Sequence, residues 1–325
     1  MKYKLQEILK VGSYVLFLAL FIQCNNVKKE DSKTAQIEAT NNEVTDSITL
    51  GEMFTIYKLP YAYDHAIIYN TEEKKWHLYG IERGHKTFIH LTADSLTQRG
   101  WEKREPFNDG DREIWAPHIV EHENTYYMYY TSIGVPRQIR YATSKDLYNW
   151  EYPSEEPLFA YSNEHTNNQK NKDPMVFRDE INNQWIMYFS MLKDDKHWVV
   201  GYSTSKDLVN WEGPKICFDE NTENPGVESP FVVKRGEYYY LTLSARPTWP
   251  HGGQDIFKSK SPFLWTTDDL VKRINPWHAA EIMRDLDGKW YYSRSSGNQE
   301  DFRMSELFWN DGLDDEETSM PIPNK

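Results

Sequence analysis

Three acidic residues, Asp64, Asp173 and Glu228, stand at the starts of similar segments of this 325-residue chain. Each precedes a short apolar run, a polar turn and an aromatic run, which is the pattern of a strand, a turn and a second strand. If the three carboxylates met in a narrow, partly desolvated cleft, they would repel one another and the least solvated would stay protonated near neutral pH. One acid and one base would result, the pair that cleavage of a glycosidic bond requires.

The segments that begin at these acids belong to a repeat with five copies. The copies align at residues 64, 116, 173, 229 and 279, in steps of 50 to 57 residues. A second motif recurs inside the period, at 141–151 and 202–212, with looser echoes at 92–101 and 259–265. It contains a strand ending in Ser or Thr, an Asp-Leu turn and a Trp that opens the next strand. Four antiparallel strands in each of five units predict an all-β fold, a five-bladed β-propeller.

The propeller determines which side chains meet. The first strand of each blade lines the central channel, so the five repeat starts are expected to converge at one end of it. The residues that would converge there are Asp64, His118, Asp173, Glu228 and His278.

Composition and charge exclude some partners. The net charge is −13 and no stripe of Lys and Arg is present, which argues against a nucleic-acid partner. The 12 Trp and 22 Tyr are a surplus that fits a carbohydrate-binding protein, because aromatic rings stack on the apolar faces of sugars. A plain β core accounts for the surplus equally well.

The first residues indicate export. Lysines followed by a short apolar stretch and Cys24 predict a signal peptide of lipoprotein type over 1–24, with an ordinary cleaved signal or a signal anchor as the alternative. Residues 25–48 are polar and predict a linker, and 49–325 predict one catalytic domain. We expect a bacterial lipoprotein at the outer membrane or cell surface or in the periplasm, which contacts the membrane only through a lipid anchor at Cys24. Cys217 is the only other cysteine, so the mature domain holds no internal disulfide.

The acids and their neighbours also carry a resemblance. The chain is similar to the clan of five-bladed propellers that contains glycoside hydrolase families 43 and 32, and the likeness extends over all five blades. Family 43 has a base Asp opening the first blade, an Asp-Pro pair in the third and an acid Glu in a Glu-Gly-Pro-like turn in the fourth. Asp64, Asp173-Pro174 and Glu228-Ser229-Pro230 occupy these places, and Trp115-Ala116-Pro117 resembles a further family 43 signature.

Three departures from the family pattern concern the subfamily. Asp64 is followed by His65 where both families usually have Pro. Glu228 is followed by Ser229, which is neither the Gly of family 43 nor the Cys of family 32. His118 stands where family 43 commonly has Asp.

The resemblance implies inverting hydrolysis of plant or algal poly- or oligosaccharides, by an enzyme of arabinofuranosidase or xylosidase type. Asp64 would activate water, Glu228 would protonate the leaving oxygen, and Asp173 would raise the pKa of Glu228 and orient it. If family 32 is the better parent, Asp64 is the nucleophile of a retaining mechanism. Carboxylate separations of about 6.5 to 9.5 Å for inversion and about 5 Å for retention distinguish the two.

The remaining candidate residues would contact the carbohydrate. The predicted substrate-binding residues are His65, Trp115, His118, Trp249, His278 and Arg294. By resemblance to some family 43 members, His278 could instead face a central calcium ion or water. No cofactor is required in this interpretation, and a structural calcium is an open possibility.

Two alternatives remain open at this point. The first is a non-catalytic propeller that binds glycans and keeps the aromatic residues of the cleft while its acids serve no mechanism, an alternative that His65 and His118 keep open. The second is a propeller whose acids and histidines hold a purely structural calcium.

Overall fold

A computed structural model of the chain describes residues 48–133, 138–154, 156, 158, 171–193, 197–220, 226–246, 253–274, 278–295 and 300–313. They belong to one compact unit, 43–325, and form five antiparallel sheets. Apart from one short 3-10 helix at Thr267–Asp269, the regular structure in these ranges is all β. The predicted all-β, five-bladed propeller is confirmed.

Each sheet is one blade with its strands in sequence order from the channel outwards. Blade 1 contains β3 (His65–Asn70), β4 (Lys75–Ile81), β5 (Thr87–Ala93) and β6 (Glu102–Asn108). Blade 2 contains β7 (Glu113–His122), β8 (Thr125–Ile133), β9 (Gln138–Ser144) and β10 (Trp150–Glu151). Blade 3 contains β11 (Asn171–Asp179), β12 (Gln184–Leu192), β13 (Trp198–Ser205) and β14 (Lys215–Phe218). Blade 4 contains β15 (Gly226–Arg235), β16 (Tyr238–Arg246), β17 (Gly253–Ser259) and β18 (Leu270–Ile274).

Blade 5 is completed from the other end of the described chain. Its inner strands are β19 (His278–Arg284), β20 (Trp290–Ser295) and β21 (Asp301–Trp309), and both β1 (Ile48–Leu50) and β2 (Phe54–Lys58) pair with β21. Ile48, the last residue of the predicted linker, is fully buried in this pairing. The blade therefore joins the two ends of the propeller chain, which closes the ring. The predicted signal peptide and the rest of the linker lie outside the described residues.

The second repeated motif forms a turn that is hydrogen-bonded to the neighbouring blade. In blade 2, Oγ of Ser144 accepts the backbone N–H of Leu147 at 2.9 Å, and the carboxylate of Asp146 accepts the N–H of Asn149 at 2.8 Å. The Leu147 carbonyl then accepts the hydroxyl of Tyr79 from blade 1. In the same turn of blade 3, the Leu208 carbonyl accepts a hydrogen bond from the hydroxyl of Tyr129 in blade 2. The Ser-Lys-Asp-Leu sequence recurs because each turn presents a carbonyl to its neighbour.

One detail of this motif departs from the prediction. Trp150 does open β10, but Trp211 forms only an isolated bridge with Ser205, and the outer strand of blade 3 begins later, at Lys215. The side chain of Trp211 instead packs edge-on against Tyr129 of blade 2. The tryptophan is therefore a packing residue between blades, and it opens a strand only in some of them.

The inner strands of blades 2 to 5 share a bulge at the repeat start. Their ladders shift register there, and each has a non-glycine residue at positive φ, namely Ala116 (48°), Asp173 (59°), Ser229 (49°) and Ala279 (50°). Such backbone is strained for residues with a Cβ and is common at functional sites. The bulge interrupts the alternation of side chains along the strand. It therefore turns consecutive side chains towards the same end of the channel.

No helix in the described ranges is both long enough and apolar enough to cross a membrane.

Candidate active site

The three predicted acids lie at one end of the channel. Asp64 immediately precedes β3, and its carbonyl accepts the N–H of Ile81, which fixes its backbone. Asp173 and Glu228 lie in the bulges of β11 and β15. The side chain of Asp173 is 6% exposed, against 14% for Asp64 and 13% for Glu228. The expected convergence of the acids is therefore present, and Asp173 is the least solvated of them.

A buried lysine joins two of the acids. Nζ of Lys172 lies 2.9 Å from Oδ2 of Asp173 and 3.0 Å from Oε1 of Glu228. The same ammonium group lies 5.3 Å from the ring centre of Trp198, close enough for a cation–π contact. Because Lys172 precedes Asp173 directly, the bulge is what allows both side chains to meet. The cation offsets much of the repulsion between the two carboxylates.

Asp64 is held by residues from blades 4 and 5. Oγ of Ser229 donates to Oδ1 of Asp64 at 2.5 Å, while Nε2 of His278 lies 3.8 Å from Oδ2. The backbone N–H of Ser229 donates to Oδ2 of Asp173 at 3.1 Å. Ser229 therefore contacts two of the three acids at once.

The pKa values of these groups are shifted in opposite directions. Burial raises the pKa of Asp64, but the interaction with His278 and the Ser229 hydroxyl outweigh burial and hold that pKa below its usual range. Burial raises the pKa of Asp173, whereas the positive charge of Lys172 lowers it. The negative charges of Asp64 and Glu228 also raise this pKa, and the net shift is upwards. Of the two aspartates, Asp64 is therefore the one held ionised, and Asp173 is the one that more readily keeps a proton.

The two basic groups of the cluster, His278 and Lys172, are both stabilised in their charged forms. Burial lowers the pKa of His278, but its interaction with Asp64 outweighs this and raises the pKa above the usual value. Burial likewise lowers the pKa of Lys172, and the charges of Asp173 and Glu228 raise it overall. When both are charged, the three acids and two cations form a nearly balanced group, in which one proton bound to the acids brings the formal charge to zero.

His118 is 8% exposed and lies on β7, just after the bulge that contains Ala116. Its Nε2 donates to the carbonyl of Val176 at 3.1 Å, and its Nδ1 lies 3.7 Å from Oε1 of Glu281. Oε2 of Glu281 accepts the N–H of Ile67 at 3.0 Å. These bonds tie blades 1, 2, 3 and 5 together. His118 and Glu281 also line a cavity of about 600 Å³, together with later residues of the inner strands and with Trp76 and Trp185 of the second strands.

The other predicted binding residues have varied positions. His65 is 3% exposed and its Nε2 lies 2.8 Å from Oγ of Ser293, so it links blades 1 and 5. Burial lowers the pKa of His65, which favours the neutral ring. Trp115 is half-buried and donates its indole N–H to Glu113 at 2.9 Å. Arg294 is fully buried and its Nη1 donates to the Ser295 carbonyl at 3.1 Å. Trp249 lies outside the described residues.

Two residues of the cluster were absent from the predicted set, Lys172 and Ser229. A sequence signal for Lys172 exists, because it adjoins an acid at a repeat start. Strand alternation, however, predicts that neighbouring side chains point to opposite faces, and only the bulge overrides it. Ser229 stood out only as a departure from the family pattern, with no indication of what its hydroxyl contacts.

A calcium ion would need several oxygen ligands around one point. Among the residues that the structure describes, no group of three or more His, Cys, Asp and Glu side chains is arranged to hold a metal ion. His278 faces Asp64, which gives its ring a carboxylate partner. A calcium ion at this residue stays a prediction.

Comparison with known proteins identifies a family for the chain. Residues 92–291 match the profile of the family described as glycosyl hydrolases family 43. Over 166 residues the chain is 25% identical to an extracellular exo-α-(1→5)-L-arabinofuranosidase, ArbA, of Cellvibrio japonicus. That match covers 46% of this chain and 46% of the relative, so it spans about half the length of each.

Solved structures share the fold. An endo-arabinase from Bacteroides thetaiotaomicron is 17% identical with a TM-score of 0.64, covering 80% of this chain and 99% of that one. The β-xylosidase RS223 is 15% identical with a TM-score of 0.64, covering 81% of this chain and 97% of that one. At such identities the likeness concerns the fold alone. The family profile, which matches more than half of the sequence, shows that the chain belongs to glycosyl hydrolases family 43.

Proposed function

We propose that this protein is a glycoside hydrolase that releases pentose units from plant or algal polysaccharide fragments by inversion. L-Arabinofuranosides are the first substrate class to test, because the matched relative is named an arabinofuranosidase, and β-D-xylosides are the second. The observation that carries the proposal is the meeting of Asp64, Asp173 and Glu228 at one channel end, with Asp64 held ionised.

In this mechanism Asp64 is the general base. Its lowered pKa keeps it ionised, so it can take a proton from a water molecule as that water attacks the anomeric carbon. The bond from that carbon to the leaving oxygen breaks, and Glu228 gives its proton to that oxygen. The reaction ends with Asp64 protonated and Glu228 ionised, and exchange with solvent restores both.

Lys172 and Asp173 control when Glu228 carries a proton. In the arrangement described above, Glu228 pairs with Lys172, which favours its ionised form. A proton on the Glu228 carboxyl is favoured when substrate fills the cleft and removes water, because desolvation disfavours the charged form. Asp173, whose carboxylate also binds Lys172, competes with Glu228 for the ammonium group and thereby assists this change.

The same ion pair favours a second candidate, a propeller that binds glycans without cleaving them. If Lys172 kept Glu228 ionised throughout, no acid would be available for the leaving oxygen. The cleft would then present a charged surface to a carbohydrate. Turnover, not binding, separates the two functions.

The test compares the wild type with Glu228→Gln on paired substrates. We expect the wild type to hydrolyse 4-nitrophenyl α-L-arabinofuranoside or β-D-xyloside and the matching oligosaccharides. The variant should lose about 10²- to 10⁴-fold in kcat on oligosaccharides. It should lose much less on nitrophenyl glycosides, because nitrophenolate leaves without a proton. A wild type that binds these sugars and turns over none of them would establish the second candidate instead.

We further propose that the protein acts outside the cytoplasm. The N-terminal sequence pattern and the extracellular relative support this placement. Anchoring through a lipid on Cys24 is the specific form that we propose. Labelling cells with a palmitate analogue, with Cys24→Ser as the matched control, would test it.

A further inference from the structure

Ser229 contacts both aspartates of the cleft in different ways. Its hydroxyl donates to Oδ1 of Asp64 at 2.5 Å, and its backbone N–H donates to Oδ2 of Asp173 at 3.1 Å. The residue holds a φ of 49°, a conformation that costs free energy for a residue with a Cβ. A glycine would adopt this conformation without strain and could make the backbone bond equally well. The hydroxyl is thus the part of Ser229 that glycine could not supply.

A nucleophilic role for this hydroxyl does not fit the geometry. In a serine hydrolase a histidine accepts the proton of the serine and an acid orients the histidine. Here the carboxylate of Asp64 lies between Ser229 and His278, and the hydroxyl donates to the carboxylate. The Ser229 hydroxyl therefore lacks the histidine base of a serine hydrolase, and the carboxylate that it contacts is the one proposed to activate the water.

The two carboxylate oxygens of Asp64 differ in their hydrogen bonding. Oδ1 is engaged by a short hydrogen bond from Ser229, whereas Oδ2 is 3.8 Å from Nε2 of His278, beyond hydrogen-bond distance. A carboxylate that acts as a base needs one oxygen within reach of the attacking water. With Oδ1 occupied and the carboxylate fixed in orientation, Oδ2 is the oxygen that can meet the water.

We propose that Ser229 is a positioning residue for hydrolysis, whose hydroxyl fixes Oδ1 of Asp64 so that Oδ2 receives the proton of the attacking water. This role rests on the proposed function. The charged and titratable groups that face Asp64 are His278 of β19, Lys172 and Asp173 of β11, and the adjoining His65. Their contributions stay in place when the hydroxyl is removed, so the hydroxyl can be tested separately.

The sign of the expected effect follows from the bond. The hydroxyl donates to the ionised carboxylate and so helps to lower the pKa of Asp64. Without the hydroxyl this pKa rises, and the acidic limb of the pH profile of kcat/KM moves to higher pH. We expect Ser229→Ala to move this limb by about one pH unit, which lowers kcat/KM about tenfold on the acidic side. The alkaline limb should stay in place.

The experiment measures the pH dependence of kcat/KM for the wild type and three variants. Ser229→Gly removes the hydroxyl and also relieves the backbone strain, so it should move the acidic limb as Ser229→Ala does. Ser190→Ala is the matched control, because the hydroxyl that it removes donates to Oδ2 of Asp173, at 3.4 Å, instead of to Asp64. This control should leave the acidic limb unmoved.

The outcomes separate the two proposals. If the wild type is active and both Ser229 variants lose activity equally at all pH values with the acidic limb unmoved, the positioning role is wrong while the hydrolase function stands. If Ser190→Ala moves the acidic limb as far as Ser229→Ala does, the effect is not specific to Asp64 and the role is also wrong. If the wild type turns over no glycoside, the proposed function fails and this role fails with it.

Discussion

Nζ of Lys172 lies 3.0 Å from Oε1 of Glu228, so the residue proposed as the general acid forms an ion pair with a lysine. The same ammonium group binds Asp173 at 2.9 Å. Both contacts are buried, where a charge without its partner costs several kcal/mol. These contacts of Lys172 therefore link the stability of the inner strands to the protonation of Asp173 and Glu228.

Lys172→Met should destabilise the protein in a pH-dependent way. Without the ammonium group, the raised pKa of Asp173 rises further, and a carboxyl with a raised folded-state pKa costs more stability as pH increases. We expect a loss of about 3 kcal/mol in the free energy of unfolding at pH 8 and a smaller loss at pH 5. Urea unfolding at the two pH values measures this.

Lys172→Arg is the control for that experiment, because it keeps the charge. It should recover part of the lost stability and remove most of the pH dependence. An equal loss for Lys172→Met at both pH values would mean that packing against Trp198, and not charge, is what the lysine contributes.

Asp173→Asn tests whether Asp173 modulates the acid. Asparagine keeps the size of the side chain but cannot take on the negative charge that Asp173 carries close to Glu228 when it is ionised. A nearby negative charge favours the protonated form of a carboxyl, so its removal should lower the upper pKa of the pH–rate profile as well as the rate. If the rate falls while the alkaline limb keeps its position, Asp173 has another role.

His278→Gln should have an effect on stability that depends on pH. The folded-state pKa of His278 is raised, so its charged form stabilises the protein fully below about pH 6.5 and the contribution is lost as pH rises through the folded-state pKa. We expect the variant to lose on the order of 1 kcal/mol at pH 5.5 and less at pH 9. Chemical unfolding across this range measures the difference.

The surface residue His122 provides a comparison for His278. The contact between His122 and Glu123 is 38% and 85% exposed and is screened by solvent, so its loss in His122→Gln should change stability little. A loss for His278→Gln that grew towards high pH would contradict the assigned ion pair with Asp64.

Gly80→Ala tests the seam between blades 1 and 5. A Cβ on Gly80 would overlap the ring of Phe302, which is fully buried in β21. Overpacking of this kind costs about 1 to 3 kcal/mol. Gly213→Ala is the control, because a Cβ there has no neighbour within 4 Å. Equal melting temperatures for the two variants would show that the seam relaxes easily.

The repeat allowed much of the architecture to be predicted from the sequence. Its spacing predicts five blades, and the blade starts place Asp64, Asp173 and Glu228 at one end of the channel. Closure of the ring by β1 could not be predicted in this way. The three residues Ile48–Leu50 carry no copy of the repeat, and their position depends on a partner strand more than 250 residues away.

The details of the site were harder to predict, for a physical reason. A strand normally points consecutive side chains to opposite faces, which would separate Lys172 from Asp173. The bulge at positive φ overrides this rule, and no glycine marks it in the sequence. The contacts of Lys172 and Ser229 depend on that backbone geometry, so neither could be read from residue types and spacing.

The most direct test of the central claim is the anomeric form of the first product. Proton NMR of the wild type acting on an α-L-arabinofuranoside should show β-L-arabinofuranose appearing first, followed by slow mutarotation, because Asp64 would direct water to the face opposite the leaving group. The α anomer appearing first would contradict the account, since it would make Asp64 a nucleophile in a retaining reaction.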